Sequence, residues 1–158
     1  MLLPLLFSLI TISHPGPGDP LPTVAGSAVN KTILLQMVNK VRQNGCQCGD
    51  TYYPATAPLV WNDKLEQAAQ KHSRDMLSKK FFSHTAPDGT DGGTRIRQAG
   101  YNWRAFGENI AFNYPSEQAV IDGWIKSTGH CKNIMNKDFK EMAVARAGNY
   151  WTQTFGAR

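Results

Sequence analysis

The chain has 158 residues, of which 41% are hydrophobic and 18% charged, and a formal net charge of +5. Once the N-terminal stretch is set aside, about 130 residues remain, enough for one compact domain with a true core and too few for two. Basic residues such as Lys79, Lys80, Arg95, Arg97 and Arg104 are dispersed among acids. With no arginine-rich run or nucleic-acid motif, the expectation is a solvated basic face suited to anionic wall polymers or lipid headgroups, with no nucleic-acid partner.

In chain order, Leu2 to Ile12 form an apolar run of signal-peptide length, short of the ~20 residues that span a bilayer. A Pro- and Gly-rich spacer follows, then small residues at Thr23-Val24-Ala25 or Gly26-Ser27-Ala28 that suit cleavage. No Lys or Arg precedes Lys31, so the leader is either truncated or unusual. The reading is an exported, extracytoplasmic protein, with residues 1–29 as leader and spacer and 30–158 as the folded domain.

Residues Asn30 to Gln43 place Ile33, Met37 and Val41 at four-residue intervals, with Leu34 and Val38 beside them, and predict an amphipathic helix ending at Asn44-Gly45. Cys46, Cys48 and Cys131 make an odd count, which in an exported chain predicts one disulfide and one spare thiol. Cysteines two apart rarely bridge each other, so Cys131 is expected to pair with Cys46 or Cys48. The leftover thiol is a candidate tether to another chain. A zinc site built from the three cysteines and His130 is the alternative, and Cys-x-Cys is a weaker signal for it than paired Cys-x-x-Cys.

Leu59-Val60-Trp61 is a short strand candidate, and Asp63 with Glu66 reads as a capping box opening a helix to about Lys80. Its inner face is Leu65, Ala68, Ala69, His72 and Met76, which makes His72 a core histidine rather than a ligand. Thr94 is read as the cap of a short helix ending at Gly100, and Ser116 as the cap of another from Glu117 to about Ser127. The stripe of the latter includes Gly123, where a neighbour can approach closely. Met142 to Ala147 and Tyr150 to Phe155 predict two strands joined at Gly148-Asn149. The class is therefore α+β, or a three-layer α-β-α arrangement.

His84, Glu108 and His130 sit in the motifs Phe82-Ser83-His84, Gly107-Glu108-Asn109-Ile110 and Gly129-His130-Cys131. Two imidazoles and a carboxylate suit a borderline divalent metal, and equally suit proton transfer near neutral pH. Asn109 and Gln153 are candidate backbone anchors in the same cleft. Together with Trp61-Asn62-Asp63-Lys64-Leu65, Asp88-Gly89, Arg95-Ile96, Ala99-Gly100-Tyr101, Trp124, Asn133-Ile134-Met135 and Tyr150-Trp151-Thr152-Gln153, these motifs resemble the bacterial branch of the CAP superfamily. That superfamily, also called the SCP domain, takes in cysteine-rich secretory proteins, antigen 5 and pathogenesis-related 1 proteins, and the likeness runs in order from about Asn30 to the C-terminus.

The resemblance implies an α-β-α sandwich with a small, mainly antiparallel central sheet and a large cleft. It also implies that His84, Glu108 and His130 meet there and can hold a divalent metal, zinc or magnesium. Animal and plant members carry a further glutamate after the helix tryptophan. Here Trp124-Ile125-Lys126-Ser127 has no acid, and Glu141 is the nearest candidate for a second carboxylate. An open site of two histidines and one carboxylate is thus expected.

Family members are associated with sterol and lipid binding, defence and extracellular signalling. The leading functional expectation is a non-enzymatic binding module for a small apolar, lipid-like or cell-wall-derived ligand. The alternative is a metal-assisted hydrolase with Glu108 as general base. Ligand identity and oligomeric state are not encoded in any motif of the chain.

Overall fold

The computed structural model describes residues 28–158, so the expected leader lies outside the described residues. The elements in order are α1 (Lys31–Asn44), β1 (Cys46–Cys48), β2 (Thr51–Tyr53), β3 (Val60–Trp61), α2 (Asp63–Lys79) and α3 (Gly92–Gln98). Then come β4 (Ala105–Phe112), α4 (Glu117–Lys126), α5 (Thr128–Met135), β5 (Glu141–Ala147) and β6 (Tyr150–Ala157). The larger sheet runs β3-β5-β6-β4, antiparallel except for the β3–β5 pair, and β1 and β2 form a separate hairpin.

The sheet register fixes the layers, because successive side chains alternate between faces. Glu108, Thr154 and Ala143 lie opposite one another and share one face; Asn109, Gln153 and Val144 share the other. The first face is covered by α2, where Thr154 donates to Leu65 O at 2.9 Å and Ser73 to Thr152 Oγ1 at 2.8 Å. The second is covered by α1, α4 and α5, with a core of Leu34, Val38, Trp124, Ile134, Met142, Val144, Trp151 and Phe155. The result is the α-β-α sandwich that the resemblance implied.

Several local readings shift by one to three residues. The cap of α2 is Asn62, whose side chain accepts from Lys64 N and Leu65 N, while Glu66 turns outward to Lys31 and Trp61 Nε1. Asp91 rather than Thr94 caps α3, accepting from Thr94 N at 2.7 Å. In α1 the buried stripe is Leu34, Val38 and Arg42, and Ile33 faces solvent. Arg42 is buried because its guanidinium donates to Ala57 O, Ile134 O and Asn136 O, which ties the approach to β3 to the end of α5.

β4 and α5 have no counterpart among the elements expected from the sequence. β4 is an edge strand, and its outward carbonyls are covered by side chains of the second helical layer. Asn133 Nδ2 donates to Glu108 O at 3.1 Å and Trp124 Nε1 to Ile110 O at 3.3 Å. Covering these acceptors leaves less of the edge available for pairing with another chain. Gly107 lets the buried Phe139 ring rest on the strand, since a Cβ there would lie 2.7 Å from Phe139 Cζ. Phe139 is itself stacked on Phe155, so its ring has little room to retreat. Gly107→Ala is expected to lower stability by roughly 1–3 kcal/mol, read as a shift in the denaturant midpoint with unchanged slope.

Candidate functional site

The site is built where the two helical layers wrap around the edge strand. Glu108 projects from β4 toward the α2 and α3 side and is buried. Its Oε1 accepts from His84 Nδ1 at 2.9 Å, and its Oε2 from Arg95 Nη2 at 2.8 Å. A carboxylate buried this deeply is favoured in its charged form only with strong donors. Burial pushes its pKa up, but the His84 hydrogen bond and the Arg95 charge outweigh it and hold the group below the ordinary carboxylate range.

His84 lies in the loop after α2, and this loop is held at several points. Arg95 Nη2 donates to His84 O at 2.8 Å and Nη1 to Thr90 O at 2.9 Å. From α2, the buried His72 donates from Nε2 to Ser83 O at 2.9 Å. That bond fixes the tautomer of a neutral imidazole and leaves Nδ1 as a bare acceptor, the one His72 ring atom without a partner. Burial lowers the His72 pKa. The His84 Nδ1 proton is likewise committed to Glu108, so Nε2 of this half-exposed ring carries its free lone pair.

His130 arrives from the other layer, in the first turn of α5. Its backbone oxygen accepts from Asn109 Nδ2, which also donates to Gln153 Oε1, while Asn133 donates to Asn109 Oδ1. Burial and then the nearby His84 lower the His130 pKa. His84 and His130 line one open groove of about 580 Å³, together with Phe82, Ile110, Trp124 and Ser127. Phe82, Phe112 and Tyr150 form an aromatic cluster at this groove, with ring centroids 4.8 to 6.4 Å apart, and Phe82 and Phe112 are about half exposed.

Two expected cleft residues lie elsewhere. Asn109 is fully buried on the opposite face of β4 from Glu108, where it anchors α5 to the sheet. Glu141 shares the Glu108 face but sits two strands away, bound by Asn62, Tyr101 and Arg158. Glu108 stands behind His84 rather than beside both histidines. Among the described residues, the only three potential metal-binding side chains with ligand atoms mutually within 4.8 Å are Cys46, Cys48 and Cys131. Of these, Cys48 and Cys131 are joined in a disulfide and Cys46 is a thiol. Arg95 is legible only as part of the Arg95-Ile96 motif, with nothing in the sequence to mark it as the partner of Glu108.

A three-layer sandwich with a histidine-lined groove around a Gly-Glu-Asn edge strand defines the SCP class of domains. The sequence model of the cysteine-rich secretory protein family, CAP, matches residues 35–155, and the chain belongs to that family. It is 33% identical over 99 residues to the uncharacterized membrane protein YlbC of Bacillus subtilis (strain 168), a match covering 63% of this chain and 29% of that protein. An extracellular protein containing an SCP domain from Bacillus anthracis superposes with a TM-score of 0.69 at 24% identity, covering 89% of this chain and 45% of that one. An outer surface protein of Borrelia burgdorferi gives a TM-score of 0.68 at 20% identity, with coverage of 80% and 91%. The match thus spans less than a third of the length of YlbC.

Removing Arg95 strands a buried carboxylate and frees the His84 loop at two points. Arg95→Met is expected to destabilise the fold by roughly 3–5 kcal/mol in chemical denaturation. The pH dependence follows from three groups whose folded pKa lies below the unfolded value. Above 6.5 His72 and His130 are neutral in both states and contribute no slope; below it the unfolded chain takes up protons that the folded one resists, so stability falls. A second loss follows as pH drops below 4.5 and Glu108 must be protonated. The melting temperature should therefore fall in two stages on acidification, with the upper stage shallower in His72→Gln.

Proposed function

We propose that the chain is an exported CAP domain acting as a binding module. Its groove between His84 and His130 captures a small apolar, lipid-like or cell-wall-derived ligand. The observation that supports binding over turnover is the saturation of Glu108. Both oxygens are engaged by strong donors and the group is held below the ordinary carboxylate range, which makes it a positioning carboxylate and a poor general base. The groove offers half-exposed aromatic surface beside a few polar groups, the usual make-up of a small-ligand site. Export is supported by the buried disulfide and by the extracellular and outer-surface neighbours.

The donor set also suits a divalent ion of the zinc class better than magnesium, because the groove presents imidazole nitrogens rather than a cage of oxygens. The His84 Nε2 lone pair and a ring nitrogen of His130 would hold it, with Glu108 orienting His84 from behind as carboxylates commonly do for metal-binding histidines. Such an ion would supply an open Lewis-acid position for a ligand oxygen.

Fluorescence titration with a polyene fatty acid tests the ligand class, and calorimetric titration with zinc tests the imidazole pair. The double variant Phe82→Ala, Phe112→Ala is expected to weaken the fatty acid by about tenfold or more, since each ring contributes on the order of 1 kcal/mol of contact. His84→Ala and His130→Ala should each abolish zinc binding; His130→Ala should leave the fold intact, whereas His84→Ala should also lower stability because Glu108 Oε1 loses its donor. Robust hydrolysis of ester or glycan substrates that disappears in His84→Ala or Glu108→Ala would overturn the reading in favour of a hydrolase.

A further inference from the structure

The three cysteines lie away from the groove lining and are not used by the proposed binding site. Cys46 and Cys48 alternate along β1, so their side chains leave the same face of the strand. That face packs against α5, which carries Cys131. Cys48 and Cys131 are bonded to each other and fully buried, whereas Cys46 is a partly buried thiol with its Sγ 3.6 Å from Cys131 Sγ. All three sulfurs lie within 4.8 Å of one another. The thiol therefore lies beside the disulfide rather than on its axis, and side-chain rotation is needed to bring it into line.

We infer that this is an exchangeable disulfide, in which Cys46 and Cys48 are alternative partners of Cys131. The Cys46 thiolate attacks Cys131 Sγ; the Cys46–Cys131 bond forms, the Cys48–Cys131 bond breaks, and Cys48 leaves as a thiolate that takes up the proton Cys46 gave away. No electrons enter or leave, so no oxidant or reductant is required.

The two bridges span sequence separations of 83 and 85 residues, so loop-closure entropy does not distinguish them. Local packing does. The Cys48 bridge puts the remaining thiol at the partly accessible Cys46, whereas the swapped bridge would leave a free thiol at Cys48, a fully buried position. The Cys48–Cys131 form is accordingly the resting state and the other a minor one. Burial pushes the Cys46 thiol up, which keeps exchange slow. The swap acts on α5 at its first turn, because Cys131 adjoins His130 and the β1–β2 turn at Gly49 abuts Thr128.

The test is mapping of free thiols. Native protein is held in mildly alkaline buffer, quenched in acid, unfolded, labelled with maleimide at acidic pH and digested for mass analysis. Label at both Cys46 and Cys48, with total labelling of one thiol per chain, is the expected result. Label at Cys46 alone after prolonged incubation would overturn the inference. The variant Cys48→Ser supplies a second reading: a folded variant with a Cys46–Cys131 bridge and no free thiol supports exchange, and a folded variant with two free thiols refutes it. If Cys48→Ser does not fold, the wild-type map decides alone.

Discussion

A carboxylate buried on an outermost strand keeps its charge only if each oxygen meets a strong donor, and that requirement at Glu108 organises everything around the groove. Arg95 answers it from α3 and His84 from the loop after α2. Neither donor is free to wander, because the Arg95 guanidinium also holds the His84 and Thr90 carbonyls. One charge thus fixes a helix, a loop and the tautomer of an imidazole. The net gain in stability from such a buried cluster is small, since desolvation offsets much of the attraction. Its main effect is geometric, a histidine presented with one nitrogen defined and one free.

The second constraint is the open edge of the sheet. β4 would expose a row of unpaired backbone groups, and the side chains that cover it, Trp124 and Asn133, come from the two helices that bring His130 into place. Protection of the edge and construction of the groove are therefore accomplished by the same packing. Asn109 completes it by tying the His130 carbonyl to the buried Gln153. The polar residues of the Gly-Glu-Asn motif divide the work by strand alternation: Glu108 serves the layer of α2 and α3, and Asn109 the layer of α5.

This alternation explains what can be read from the sequence and what cannot. Helices α1, α2 and α4 are legible because apolar periodicity and capping side chains act locally, and the β5–β6 hairpin because Gly148-Asn149 marks its turn. The stripe of α1 is displaced from its expected position since Arg42 is buried by carbonyls contributed from distant segments, which no local pattern encodes. β4 is hidden because its residues read as a chemical motif, whose glycine and polar side chains break the apolar alternation of an ordinary strand. The motif histidines and Glu108 are identified as site residues through resemblance, yet their arrangement, with the carboxylate behind one ring and Arg95 on its far side, depends on tertiary contacts. Glu141 is selected by residue type alone, and its charge is absorbed by Tyr101, Asn62 and Arg158 at the end of the sheet.

The division of labour between Glu108 and the groove also bears on chemistry. General-base catalysis needs an accessible carboxylate with a lone pair aimed at the reacting proton and a pKa near the working pH. Glu108 has neither accessibility nor elevated pKa, and its polarising influence reaches the groove only through His84. What the groove itself presents is a pair of imidazoles set among half-exposed aromatic rings, apolar area beside two polar groups. The buried charge thus orders the imidazole at the groove, and the aromatic rings supply most of the apolar area beside it.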